Sequence, residues 1–202
     1  MARGKGRQDD RWSVWAAFAE RNGGTPERDR KDRVKSVRFE HAGWPIVVDT
    51  YTVSTGQSSV TYTRARASYR AQTPFRCKVW KEGFFSRIGK KLGMQDLTVG
   101  HPVLDRDFVV QSDNPGPARA LLAGSRVGEL LLRDPKLHYG VGKRKRSKED
   151  PEDAPDAEVT VRIAQVVKDG KRLDTMLALC RESLDSLLRS GTALPAADRH
   201  LP

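Results

Sequence analysis

The sequence contains little cysteine and no long apolar segment. Its 202 residues include two cysteines, Cys77 and Cys180, whose wide separation fits neither a metal site nor a disulfide framework. Both lie in apolar patterns, which predicts buried free thiols in a reducing compartment. The longest clean apolar runs hold four or five residues, whereas a membrane-spanning helix needs about 20. These features predict a soluble, cytoplasmic protein that is at most peripheral to a membrane.

Motifs for catalysis are also missing. No histidine has a second ligand at metal spacing, and the segment GSRVGE lacks the lysine and the glycine spacing of a phosphate loop. Asp105 and Asp107 flank Arg106, which favours ion pairing over an acid/base site. We therefore expect no cofactor, no metal and no catalytic residue, although an enzyme of unidentified class stays an alternative because active sites assemble from distant residues. The histidines are His41, His101, His138 and His200.

Positive charge is what the chain has in excess. The formal net charge is +11, with 31% charged and 37% hydrophobic residues. Such a balance favours polyanionic partners, namely nucleic acid, an acidic lipid surface or an acidic protein. The alternative is that the surplus reflects composition alone.

Hydrophobic periodicity predicts an α+β fold with a largely antiparallel sheet of about six or seven strands. Residues 34–80 contain four β-rich segments joined by short connections, which favours antiparallel pairing. Residues 170–190 show the clearest helical pattern, with one apolar stripe. We expect this C-terminal helix to pack on one face of the sheet.

Residues 12–190 are predicted to form a single domain. A loose basic segment, residues 1–11, precedes it and lacks the apolar core of a signal peptide. A loose tail, residues 191–202, follows it. Within the domain, a charged loop at about 142–157 is predicted to be disordered because it contains few apolar residues.

Most of the surplus charge lies between residues 60 and 92, where nine Lys or Arg residues accompany one acid, Glu82. Side chains alternate between the two faces of a strand. If the third and fourth predicted strands pair with matched faces, their cations and aromatic rings share one sheet face. Such faces hold single-stranded nucleic acid or attract acidic lipid headgroups, and a merely solvated face is the plain alternative. The candidate polyanion-binding residues there are Arg64, Arg66, Arg70, Arg76, Lys78 and Trp80.

The segment KEGFFSRIGKKLGMQDL, residues 81–97, predicts a short amphipathic helix over about 84–92. Its aromatic and aliphatic side chains gather on one side, and its cations fall mostly on the other. A membrane-interface helix would look similar, but a helix this short needs the domain to hold it. We therefore interpret it as an elbow docked on the core, whose cations Arg87, Lys90 and Lys91 complete the candidate polyanion-binding set.

The same region resembles an uncharacterised bacterial family of domains of unknown function. The family signature runs Glu-Gly-Phe-Phe-Ser, then Gly-Lys-x-Leu-Gly-x-Gln-Asp, then Asp-Pro-x-Phe-Asp-x-x-Phe-Val-Val. The match covers residues 82–86, Gly93, residues 95–96 and residues 105–110, whereas His101 and Leu104 depart from the signature. The resemblance implies a bacterial origin and, because some relatives carry membrane segments, work near a membrane. It implies no activity, cofactor or catalytic residue.

Three functions follow from these observations. The favoured one is a non-catalytic binding or scaffold module whose basic sheet face docks on nucleic acid or on an acidic membrane surface. The first alternative is a protein–protein adaptor in a larger assembly, which docks an acidic partner. The second is the enzyme of unidentified class. The oligomeric state is not predicted.

Overall fold

The structure is a computed structural model that describes residues 9–31, 34–54, 56–81 and 95–196. The strands are β1 (Thr25–Arg28), β2 (Val34–His41), β3 (Trp44–Ser54), β4 (Ser59–Tyr69), β5 (Cys77–Lys81), β6 (Gln95–Asp96), β7 (Phe108–Ser112), β8 (His138–Lys143) and β9 (Ala157–Ile163). The helices are α1 (Asp9–Asn22), α2 (Pro102–Asp107), α3 (Pro115–Leu122), α4 (Val127–Arg133) and α5 (Gly170–Arg189).

The described strands form one antiparallel sheet in the order β1-β2-β3-β4-β9-β8-β5-β7-β6. The α+β class, the antiparallel sheet and the C-terminal helix are therefore confirmed. The strand number is corrected from six or seven to nine. Strand β1 was missed because TPER contains proline and charge, and β8 was missed because HYGVGK contains two glycines, residues that are depleted in strands.

The pairing of the third and fourth predicted strands is also corrected. These strands are β4 and β5, and β9 and β8 lie between them. The sequence suggested a local meander, but after β5 the chain first adds β6 and β7 on the opposite side of β5, and only then returns through β8 and β9 to fill the gap. The candidate residues of β4 and β5 are thus three strand spacings apart, about 14 Å.

One face of the sheet carries the hydrophobic core. Side chains at alternate positions of the strands, such as Ala65, Ala67 and Val161, are fully buried there. Helix α5 packs across β4 and β9, and α1, α3 and α4 contact α5. We call this the inner face, and the opposite side of the sheet the outer face.

The sequence of α5 explains why it covers the inner face. Asp169 begins the helix, because its side chain accepts a hydrogen bond from the backbone N–H of Lys171 at 3.0 Å. Leu173, Met176 and Leu177 recur at helical spacing and are buried against the sheet. None of the described helices is both long and apolar enough to cross a membrane.

Two predicted segments need separate mention. The helix predicted over about 84–92 lies outside the described residues. Between β8 and β9, where a disordered loop was predicted, the Arg144 side chain donates hydrogen bonds of 3.0 Å to Asp150 and to the carbonyl of Pro155. Strand β8 ends at Lys143 and strand β9 begins at Ala157, so the two strands include the first and last residues of the predicted loop.

Candidate functional site

The outer face brings basic side chains of neighbouring strands side by side. Strand register aligns Arg64 of β4 with Arg162 of β9, and Arg162 with His138 of β8. At the far end of this row, Asp49 of β3 lies opposite Arg64. We call the three basic residues, Arg64, Arg162 and His138, the cation row.

A second row runs parallel to the first, two residues further along each strand. It aligns Thr160 of β9 with Gly140 of β8, and Gly140 with Lys78 of β5. Glycine has no side chain, so β8 leaves an open space between the flanking strands at this level. Gly142 leaves a second such space beside Glu158.

These spaces form a trough of about 870 Å³ on the outer face. Strands β8 and β9 form its floor, and the neighbouring strands β4 and β5 flank it on either side. Tyr62 of β4 forms one wall and Trp80 of β5 the other. Aromatic walls over a glycine floor can hold a flat or an extended apolar group, because rings offer a large contact area at low conformational cost.

Two of the predicted cations share one carboxylate. Arg64 forms two hydrogen bonds of 2.9 Å to the carboxylate of Asp49, and Arg66 donates another at 2.9 Å to the same group. Burial disfavours the charge on Arg64, but the hydrogen bonds to Asp49, together with the negative charge of that carboxylate and smaller contributions from Tyr51 and Glu158, outweigh the cost and raise the pKa of the guanidinium. These three groups together present one net positive charge rather than two.

The cations at the centre of the trough are less compensated. Among the described residues, no carboxylate forms an ion pair with Lys78 or Arg162. Burial, and then the nearby charge of Arg162, lowers the pKa of Lys78 and also that of His138. Repulsion between these groups would be relieved by an anion placed among them, which makes the centre of the trough a candidate anion site.

A carboxylate also lines the trough. Glu158 lies two rows from Arg162 along β9 and accepts a 3.4 Å hydrogen bond from the hydroxyl of Thr160. The trough is therefore electrostatically polar along the strands. Its acidic end lies near Gly142, and its basic part lies at Lys78 and Arg162.

An aromatic ladder borders the cation row. The rings of Tyr51 and Tyr62 stack at 5.1 Å with 14° between their planes. The guanidinium of Arg64 lies 4.5 Å from the centre of the Tyr51 ring, and that of Arg162 lies 5.9 Å from the Tyr62 ring. Such cation–π contacts fix the guanidiniums without neutralising their charge.

The β3–β4 hairpin extends past the rest of the sheet. Pairing of β3 with β2 stops at Asp49, and pairing of β4 with β9 stops at Thr63, but β3 and β4 continue to pair as far as Ser54 and Ser59. We call this projecting part, residues 50–54 and 59–62, the arm. Beyond the tyrosine ladder it carries a directly paired Val53 and Val60, which are 43% and 39% exposed.

The predicted site residues divide into three groups. Arg64, Arg66, Lys78 and Trp80 lie on the outer face, as their alternation along the strands indicated. Arg70 and Arg76 lie just beyond strand ends, and Arg76 forms an ion pair of 2.8 Å with Asp113 beside a second cavity of about 410 Å³. The remaining three, Arg87, Lys90 and Lys91, lie outside the described residues.

Sequence reasoning missed the residues that join the two halves of the site. Arg162 lies in the strand pattern EVTVRIAQVV, where alternation already separates it from the apolar residues. Gly140 and Gly142 alternate in HYGVGK with Tyr139 and Val141, which are buried. A strand with glycine at every second position is a signal for a groove floor, and it could have been read as one.

Both cysteine thiols are buried, and His41 lies on the inner side of the sheet. Burial raises the pKa of the Cys77 thiol to about 12 and also raises that of Cys180. His41 forms a 2.7 Å contact with Asp185 on the inner side, where it joins β2 to α5. Within the described ranges, no group of three or more His, Cys, Asp or Glu residues could hold a metal ion.

Comparisons with known proteins show similarity of fold. No protein-family model matches the chain, so the resemblance to a bacterial family stays a prediction, and no curated protein matches its sequence. Among solved structures, the crystal structure of the mycobacterial trehalose monomycolate transport factor A, TtfA, is similar with a TM-score of 0.53 and 14% identity, over 90% of this chain and 96% of that chain. The chain thus shares a fold with that factor.

Proposed function

We propose that the chain is a non-catalytic binding module whose outer sheet face binds the anionic groups of an acidic lipid surface. The observation that carries the proposal is the pair of cations Lys78 and Arg162, which lie without an ion-pairing carboxylate among the described residues at the centre of an aromatic trough. Anionic headgroups would relieve the repulsion between them. Attraction to such a surface contributes about 1 kcal/mol per basic residue.

Ion pairing favours a lipid over nucleic acid as the polyanion. A single strand of nucleic acid is held by a groove whose cations follow the phosphates along the chain. Here Asp49 neutralises part of the charge of Arg64 and Arg66, and Glu158 lies in the path along β9. The apolar arm beside the trough suits acyl chains better than phosphates.

The structural neighbour is named as a transport factor for trehalose monomycolate. At 14% identity the similarity carries the fold alone. The proposal therefore rests on the side chains of the trough.

Vesicle binding tests the proposal. The chain is expected to bind vesicles of phosphatidylglycerol and phosphatidylcholine and not vesicles of phosphatidylcholine alone, and binding should weaken as salt rises. The variant Lys78→Glu/Arg162→Glu should lose most of this binding. Co-sedimentation with vesicles at two salt concentrations measures both effects.

A matched variant separates local charge from net charge. Lys35→Glu/Lys148→Glu makes the same change in charge at two exposed lysines outside both cavities, so it should retain binding. Lys78→Gln/Arg162→Gln provides a milder change if the reversal unfolds the chain. Equal loss in the two reversal variants, or tighter binding to a single-stranded oligonucleotide than to acidic vesicles, would overturn the proposal.

A further inference from the structure

Chemical character changes in order along the outer face. Glu158 lies at one end, Lys78 and Arg162 follow, and the tyrosine ladder and the paired valines of the arm come last. The order is acidic, basic, aromatic and aliphatic. An amphipathic anion has the two parts that match the basic and the apolar stretches.

The two stretches are separated by about the length of a short acyl chain segment. Arg162 lies opposite Arg64, and Arg64 and Val60 of the arm are four residues apart on β4, which corresponds to about 13 Å along the strand. Tyr62 lies between them, and Tyr51, Val53 and Tyr62 all line the trough. The apolar surface is thus continuous with the basic centre.

The concave shape argues for a single molecule. Lys78 lies beside the glycine floor and is partly desolvated, which contributes to the lowered pKa of its ammonium group. A flat bilayer surface reaches protruding cations more readily than cations between two aromatic walls. A headgroup that enters the trough can reach Lys78 and Arg162 together.

We infer that the trough takes up one amphipathic lipid anion, with its headgroup at Lys78 and Arg162 and its hydrocarbon chain along the tyrosines and valines of the arm. This inference rests on the proposed function and adds that the lipid is bound singly, inside the trough. Exposed valines paired on a projecting hairpin then have a role, because the chain of the lipid covers them. Apolar burial supplies affinity and the cations supply orientation.

A series of alkyl phosphates tests this inference. Inorganic phosphate and butyl, octyl and dodecyl phosphate share one headgroup and differ in chain length. If the chain lies along the arm, affinity should rise by about threefold to fourfold for each methylene buried, until the apolar stretch is filled. Titration calorimetry below the micellar concentration measures the affinities, and native mass spectrometry is expected to show one ligand per protein.

Variants of the arm make the test specific. Val53→Ser/Val60→Ser should flatten the dependence on chain length and leave the affinity for butyl phosphate nearly unchanged. Val166→Ser, at a partly exposed valine outside the trough lining, is the control and should keep the dependence. Lys78→Gln/Arg162→Gln should lower the affinity for every member of the series by a similar factor.

The outcomes separate the two proposals. Vesicle binding that depends on Lys78 and Arg162, together with alkyl phosphate affinities that do not change with chain length, would overturn the single-lipid inference and leave the proposed function standing. A dependence on chain length that survives in Val53→Ser/Val60→Ser would overturn the placement of the chain. Absence of anion binding of any kind would overturn both.

Discussion

At the scale of single residues, Asp49 determines how much positive charge the outer face presents. Its carboxylate is 16% exposed and receives hydrogen bonds from two guanidiniums. A largely buried carboxylate in such a position stabilises the fold, and it also reduces the charge available to a ligand. Stability and anion binding therefore depend on the same group in opposite directions.

Asp49→Asn is expected to separate these effects. Removing the charge leaves Arg64 and Arg66 without their ionic partner, which should lower the free energy of unfolding by about 1–3 kcal/mol. Affinity for dodecyl phosphate should rise several-fold, because two more guanidiniums are available beside the trough. Urea unfolding and calorimetry measure the two quantities.

Asp174→Asn serves as the comparison, since it removes the ionic partner of Arg21 between helices on the inner side of the sheet. It should lower stability without strengthening binding. If the affinity of Asp49→Asn falls together with its stability, Arg64 and Arg66 do not contribute to the anion site.

Protonation of His138 gives a second expectation at this scale. Burial and the charge of Arg162 hold the pKa of His138 below its usual value of about 6.5. The imidazole is therefore neutral at pH 7.5 and gains a charge only as the pH falls below that value. A bound anion favours the charged form, so binding takes up a proton and should strengthen on acidification.

Octanesulfonate provides the measurement, because its charge does not change between pH 7.5 and 5.5. Its affinity is expected to rise over this interval in the parent chain and to stay flat in His138→Asn. The other charged groups that line the trough beside the imidazole include Arg162, Lys78, Lys136 and Glu158, and His138→Asn leaves all of them in place. An equal rise in both proteins would show that another group is responsible.

At the scale of elements, β8 decides whether a trough exists. Two of its three outward positions are glycines, Gly140 and Gly142, and neither has a positive φ. A Cβ at Gly140 would meet the carbonyl oxygen of Cys77 at 3.4 Å, and one at Gly142 would meet Arg76 at 3.9 Å. The backbone thus tolerates larger residues at both sites, and glycine there is not required by backbone conformation.

Gly140→Val is expected to stabilise the sheet and to block the site. A β-branched residue suits a strand, and replacing glycine should raise the free energy of unfolding by about 0.5–1 kcal/mol. The valine would fill the space beside Lys78, so alkyl phosphate affinity should fall at least tenfold. Gly142→Val, one row further from Lys78, should stabilise the sheet by a similar amount and reduce alkyl phosphate affinity less. Equal affinity in both variants and the parent chain would contradict the trough as the binding site.

The connection from β9 to α5 holds the covering helix in place. The buried hydroxyl of Thr63 donates a 2.8 Å hydrogen bond to the carbonyl of Gln165 and accepts one of 2.9 Å from the N–H of Val167. Trp15 adds a third bond, from its indole N–H to the carbonyl of Val167 at 3.0 Å. The segment therefore links β4, α1 and the start of α5.

Thr63→Val should lower the free energy of unfolding by about 1–3 kcal/mol, because it leaves a buried N–H without an acceptor. The affinity of the folded variant for anions should not change, since Thr63 faces the inner side. Guanidinium unfolding measures the stability. A loss below about 0.5 kcal/mol, the level of an ordinary surface change, would show that this link contributes little.

At the scale of the whole molecule, the sequence predicts faces better than neighbours. Alternation along β4 and β5 correctly separated Arg64 and Lys78 from the buried Ala65 and Cys77, because a strand has a period of two residues regardless of its partners. It could not show that two further strands lie between them. That arrangement depends on long-range pairing of HYGVGK, whose glycines weaken every local signal for a strand.

The ion pairs were unpredictable for the same reason. Asp49 and Arg64 are opposite each other only in one register of β3 and β4, and register depends on the inner-face packing and on the hairpin turn. The outer face therefore contains four of the nine residues that the sequence indicated, together with Arg162, Gly140 and Tyr51, which only the folded sheet brings beside them.

The most direct measurement of the central claim is an amide chemical-shift titration of the full chain with dodecyl phosphate. The account predicts that the largest changes occur on the strands that form the trough, at Lys78, Gly140, Thr160 and Arg162. Smaller changes are expected at Tyr51 and Val53 of the arm. Amides of α5 should change little. Changes concentrated on α5 or on the loop between β8 and β9, with the trough strands unaffected, would contradict the claim that Lys78 and Arg162 form an anion site.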